Sequence, residues 1–332
     1  MALLISVVGC QSPGTVGTGS APGSKNLTKV RFVYDFFPDG NFTVLFATLA
    51  QGFFRQEGLD VSLNMVSPNT GVQTLVAKKA QFAFASFTTM TTAIGAHNAP
   101  VKAVMGMQQQ TADAILSPAK EGITNPRDLV GKSVVDFAAS ETQIAYPFFL
   151  RNTGLSKNEV QLRLVDPGAR IPLMIAGHVN SMVGFYSDNA PLVSYQCKCP
   201  INVIKWKDYG IHLFGNGIVA NTDYIQTHPL VTKAFIRALV KGLQFVRSNP
   251  VAGVDDLMRI GGSQVGAPKK VLVAQVKNWL ALTTTPNGGG TPIGFMAQKD
   301  WQNEVDLLSR ASVIPRSTAT SKLYTNAYIP KT

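Results

Sequence analysis

Strands and helices alternate along this chain, and they do so twice in the same order, which confines the fold to a two-lobed α/β architecture. In the first half, Lys29–Tyr34 alternates apolar and polar residues as a strand does, and Asn41–Gln56 reads as a helix that stops at Gly58. A strand over Leu59–Val66, a helix over Thr70–Lys79 and a third strand over Ala80–Ser86 complete the unit. The second half repeats it, with strand Lys132–Asp136, helix Thr142–Asn152, strand Val160–Val165, short helix Arg170–Gly177 and strand Asn180–Phe185. Alternation of this kind predicts a largely parallel sheet. Beyond about residue 216 the pattern turns helical, over Pro229–Ser248, Lys269–Leu282 and Lys299–Ala311.

The N-terminus bears on where such a body works. Met1–Gly9 is a short apolar run ending in a small residue, Cys10 follows, and residues 11–27 are mostly Gly, Ser, Pro and Thr. This is how a bacterial lipoprotein signal ends. On that reading residues 1–10 are the signal, Cys10 is the lipidated residue, and 11–27 is a flexible linker to an extracytoplasmic body. No Lys or Arg precedes Cys10, whereas a secretory signal opens on positive charge. Either translation begins upstream of Met1, or the run is an ordinary buried apolar terminus. No other stretch approaches the ~18 apolar residues of a membrane span.

Composition narrows the partners. The 332 residues are 45% hydrophobic and 15% charged, which is globular. Lys and Arg number 30 against 19 Asp and Glu, a net charge of +11. The basic residues are scattered rather than gathered into the stripe a nucleic acid requires, so no nucleic-acid partner is expected. A solvated basic surface, an anionic ligand and an anionic membrane surface stay open. Beyond Cys10 the only cysteines are Cys197 and Cys199. With no second Cys pair and no nearby His, a metal site is unsupported, and the two are free or cross-linked thiols. The chain has no Gly-x-Ser-x-Gly, no His-Glu-x-x-His and no phosphate-binding Gly-x-x-x-x-Gly-Lys, so neither a catalytic residue nor a cofactor is expected.

Four stretches carry a family resemblance. Ala50–Val61 (AQGFFRQEGLDV) resembles "GxFxxEGLdV", and Ala77–Ala85 (AKKAQFAFA) sits where "xxGxaDfgi" is usual. Asp128–Lys132 (DLVGK) is similar to "DLkGKkv", and His228–Gly242 to "nPdlvkaFlrAxxkG". Asp300–Leu308 fits a further helix; Ala80-Gln81 departs from the usual Gly-Asp. In this order they resemble type II periplasmic solute-binding proteins of ABC importers, in the thiamine-pyrimidine-precursor, nitrate, sulfonate and taurine branch. The resemblance implies an α/β, two-lobed type II periplasmic-binding-protein fold with a ligand cleft between lobes and a two-crossover hinge. Lobe one takes 28–117 plus 216–332 and lobe two takes 118–215. It also implies a monomer that is held at the membrane by its lipid and captures a small planar or anionic molecule by hinge closure for an ABC permease. A thiamine-type pyrimidine precursor leads the candidates. The alternatives are a sulfonate, nitrate, an aromatic carboxylate or a flavin, or a same-fold pyrimidine-synthesis enzyme.

Ligands of α/β sheets sit beyond the carboxyl ends of strands, beside helix N-termini. That rule selects loops. Asp35, Phe36, Phe37, Pro38 and Asn41 follow the first strand. Phe36 or Phe37 offers a stacking face unless the rings pack inward. Ser86, Thr88 and Thr89 follow the third strand, as polar ligand contacts or as a plain helix cap. Ser140 and Thr142 repeat that chemistry in lobe two, with Glu141 between them complementing the helix dipole. Tyr186 offers a second stacking face, Asp188 an acceptor and Asn189 an amide, the alternative being a surface turn. Gln108–Gln110 could add amide contacts at the hinge approach, Gly215–Gly217 reads as a crossover turn, and Arg170 is the nearest cation for an anionic ligand, unless it is only surface.

Overall fold

The computed structural model describes residues 27–138, 142–284, 287 and 290–331. Cys10, the linker through residue 26, and Ser140 with Glu141 lie outside the described residues. The chain builds two five-stranded sheets. The first holds β1 (Thr28–Tyr34), β2 (Leu59–Met65), β3 (Phe82–Ser86), β4 (Val101–Gly106) and β10 (Asn216–Asn221), in the order β2-β1-β3-β10-β4. The second holds β5 (Asp113–Pro118), β6 (Ser133–Phe137), β7 (Gln161–Val165), β8 (Ser181–Phe185) and β9 (Ile201–Lys205), in the order β7-β6-β8-β5-β9. One topology is therefore built twice, as the repeated alternation predicts.

Two details differ from the sequence expectation. The sheets are mixed, not largely parallel: β1 pairs parallel with β2 and β3, whereas β10 runs antiparallel to both β3 and β4. The second sheet follows suit, with β5 antiparallel to β8 and β9. The reason is the connection. β5 and β10 are the strands by which the chain enters from the other lobe, so no βαβ crossover governs their direction. The boundary also moves, because β5 starts at Asp113 and lies wholly in the second sheet, ahead of the expected division at 118.

The two crossovers run side by side. The Gln108 amide donates to the Asn216 carbonyl (2.7 Å), the Gly215 amide to the Gln108 carbonyl (3.0 Å), and the Thr111 amide to the Leu213 carbonyl (2.8 Å). Each of the Gln108–Gln110 side chains bonds backbone at one end. Gln108 Oε1 accepts from the Asn216 amide, Gln109 Nε2 donates to the Phe295 carbonyl, and Gln110 Nε2 donates to the Thr284 carbonyl. Gly217 begins β10 where there is no room for a side chain. A Cβ there would stand 2.2 Å from Phe87 Cζ and 2.7 Å from the Met105 carbonyl oxygen. Gly217→Ala is expected to cost about 1–3 kcal/mol by overpacking, read as a lowered melting temperature.

Helix Pro229–Ser248 seals the first sheet. It buries Thr232, Phe235, Ile236, Leu239, Leu243 and Val246, a spacing of three and four that makes one apolar stripe. In the second lobe Phe149 stacks on Trp206 at 5.3 Å. Cys197 and Cys199 form a disulfide. Lys198 between them adopts φ +54°, which folds the chain back and brings the Cα atoms to 5.2 Å.

Candidate ligand cleft

Strand ends from both sheets meet at one cleft. Asp35 and Phe36 follow β1, Ser86 ends β3, Phe137 ends β6 and Phe185 ends β8, and all five line it. Asp39, Asn41 and Phe42 join them from lobe one, and Thr142, Arg170, Asp188 and Asn189 from lobe two. Asn69, Gly184 and Asn216 complete the wall. The enclosed space is about 90 Å³.

Carboxyl groups dominate its chemistry. Asp39 of lobe one and Asp188 of lobe two share the cleft lining, and each bears on the titration of the other. Burial, and then the charge of Asp188, push the Asp39 carboxyl well above its ordinary range. Burial raises Asp188 too, against the hydrogen bonds of Asn41 and Asp39 and the charge of Arg170. Both carboxyls therefore hold their protons to higher pH than a free carboxyl does. Asp188 Oδ2 also accepts from Asn189 Nδ2 at 2.9 Å. Burial lifts Asp35 to about 6, although the Gly71 amide donates to it.

Arg170 is buried in this wall rather than on the surface. Its Nη1 donates to the Val183 carbonyl at 2.8 Å, its guanidinium lies 4.7 Å from the Phe137 ring centre, and Nη1 stands 4.0 Å from Asp136. Much of its charge is thus committed to the protein. Asn41 is buried, and its amide bonds Asp188. Its Oδ1 has no hydrogen-bond partner among the described residues. A buried, unpaired carbonyl is costly to leave so, and this one sits in the cleft wall.

The residues selected from the sequence divide. Phe36, Asn41, Ser86, Thr142, Asp188 and Asn189 come together in the cleft lining. Ser86 Oγ also caps the next helix by accepting from the Thr89 amide, and Thr142 Oγ1 donates to Asp136 at 2.7 Å. Three others stand outside the lining. Phe37 is 60% exposed, its ring edge-on to Phe36 at 5.9 Å. Thr88 turns into the core and donates to buried Glu304. Tyr186 packs away from the cleft, with the Lys205 ammonium 4.7 Å from its ring centre, while its neighbour Phe185 lines the wall. Asp39 and Phe137 belong to the lining and were not selected.

Two lobes of one topology, joined by paired crossovers around a small polar and aromatic cleft, define a two-lobed binding protein of the type II periplasmic fold. The chain belongs to the NMT1/THI5-like family, whose sequence model matches residues 39–252. It is 23% identical over 304 residues, 88% of each chain, to the formylaminopyrimidine-binding protein of Halalkalibacterium halodurans. It is 22% identical to the riboflavin-binding protein RibY of Chloroflexus aurantiacus, across 99% of this chain and 95% of that one. Among solved structures, the aliphatic sulphonate binding protein SsuA of Escherichia coli matches with a TM-score of 0.70 at 15% identity, over 89% of this chain and 91% of that one.

Proposed function

We propose that this protein is the extracytoplasmic solute-binding component of an ABC importer, and that it captures a small planar molecule rich in N–H donors, of the aminopyrimidine type. The observation that carries the reading is the acceptor set between aromatic walls: the carboxyls of Asp39 and Asp188 beside the unpaired Oδ1 of Asn41. An amino group on a heterocycle satisfies such acceptors, and Phe36, Phe137 and Phe185 supply apolar faces for its ring. Sulfonate and nitrate bring only acceptors and negative charge to a wall already rich in carboxyl groups, so they fit it poorly. The flavin reading has support in the RibY similarity. The enclosed volume of about 90 Å³ favours a single ring, since drug-sized sites start near ~300 Å³. Attachment through Cys10 and a monomeric state belong to the same proposal.

Isothermal titration of the purified protein tests it. Formylaminopyrimidine is expected to bind one to one and to be recovered chemically unchanged, while alkanesulfonate and nitrate give no heat. Heat with an alkanesulfonate and none with formylaminopyrimidine would refute the assignment.

A further inference from the structure

One buried amide joins the two cleft loops. Gln275 lies within helix Lys269–Leu280 of lobe one and is 1% exposed. Its Oε1 accepts from the Gly40 amide at 3.0 Å, and its Nε2 donates to the Asp188 carbonyl at 2.9 Å. Gly40 stands between Asp39 and Asn41, so one end of Gln275 holds the acceptor loop of lobe one and the other holds Asp188 of lobe two. Packing fixes the first contact: a Cβ on Gly40 would lie 2.3 Å from Gln275 Cβ, so only glycine lets the helix approach this closely. Two more residues of the same helix reach lobe two. Asn278 Nδ2 lies 3.5 Å from the Ser187 carbonyl, and the Lys270 ammonium lies 4.4 Å from the Tyr195 ring centre.

We infer that Gln275 is a positioning residue that couples the ligand-side loops to lobe closure. The inference rests on the reading above that the cleft takes a ligand and closes on it. When the lobes part, Gln275 keeps Gly40 and loses Asp188, exchanging a hydrogen bond inside the protein for one to water. That exchange is the kind of local cost that favours the closed arrangement. When the lobes meet, the same side chain ties Asp39 and Asn41 in register with Asp188. Occupancy at those acceptors and closure then report on one another.

The charge-bearing near-isostere separates the two ends. Gln275→Glu keeps an acceptor for the Gly40 amide and removes the donor to the Asp188 carbonyl. Small-angle scattering of the ligand-free protein is expected to give a larger radius of gyration for Gln275→Glu than for wild type. In stopped-flow binding of formylaminopyrimidine, its dissociation rate is expected to rise about 10-fold with the association rate changed less than about 2-fold. Gln275→Met, which fills a similar volume without either hydrogen bond, is expected to do the same and serves if the buried carboxylate unfolds the chain. An unchanged radius with an unchanged dissociation rate in the folded variants overturns the inference. If wild type fails to bind formylaminopyrimidine, the ligand reading falls and the scattering comparison alone decides: no increase in radius overturns the coupling.

Discussion

Replacing Phe235 with alanine is expected to cost about 3–5 kcal/mol of stability. The ring is fully buried and lies face to face with Phe82 at 3.9 Å, with the planes 5° apart. Phe54 stacks on it at 5.1 Å and Phe32 meets it edge-on at 5.0 Å. These partners come from β3, from helix Phe53–Gln56 and from β1, so one side chain fastens the long helix to the sheet and to a second helix. Its removal loses the transfer free energy of the ring and leaves a cavity between rigid neighbours. Each aromatic pair adds about 0.5–1.5 kcal/mol beyond buried area. Urea unfolding followed by tryptophan fluorescence checks it, since Trp279 and Trp301 are both fully buried in lobe one. A loss below about 1 kcal/mol would mean that the cluster closes over the gap. Phe235→Leu should recover part of the loss.

The helix that carries Phe235, Pro229–Ser248, was legible in the sequence because helical patterning shows itself locally, and so were the doubled strand and helix order and most strand positions. What was not legible depends on which segments meet. Nothing near residue 216 announces that β10 inserts antiparallel between β3 and β4, because the sequence carries no record of a pairing partner. Asn41–Gln56 read as one helix, yet Gly52 takes φ +70° and breaks it into Thr43–Ala50 and Phe53–Gln56 after a short turn at Gly40–Phe42. At the cleft, the strand-end rule located the loops and missed the phase within them. Phe185 and Tyr186 are adjacent at the end of β8 and face different ways, as do Phe36 and Phe37 after β1, so an error of one residue exchanges wall for surroundings. Phe137 was within reach of the same rule, since it ends β6. Asp39 and Gln275 were not, because their significance arises only when the second lobe brings Asp188 to them.

Asp188 is where the proposed ligand chemistry has its largest expected consequence. Asp188→Ala removes the carboxyl that Asn41, Asn189 and Asp39 converge on. It also removes the carboxyl that faces Asp39 in the lining. Truncating one member of a buried, hydrogen-bonded set costs about 2–5 kcal/mol in binding, so formylaminopyrimidine affinity should fall by at least about 30-fold in titration calorimetry. A loss below about 3-fold would remove Asp188 from ligand recognition. The same pair fixes a pH dependence. Both carboxyls, and Asp35 at about 6, have folded pKa values raised by burial above the unfolded range near ~4. The folded state therefore holds more protons than the unfolded state in that interval. Stability is fully present below the unfolded pKa and is lost as pH rises through the folded values. The melting temperature of ligand-free wild type should accordingly fall from about pH 4 through about pH 6 relative to Asp39→Asn, whose amide does not titrate. A wild-type curve parallel to that of Asp39→Asn across the interval would show that the Asp39 carboxyl is not raised above its ordinary range in the folded protein.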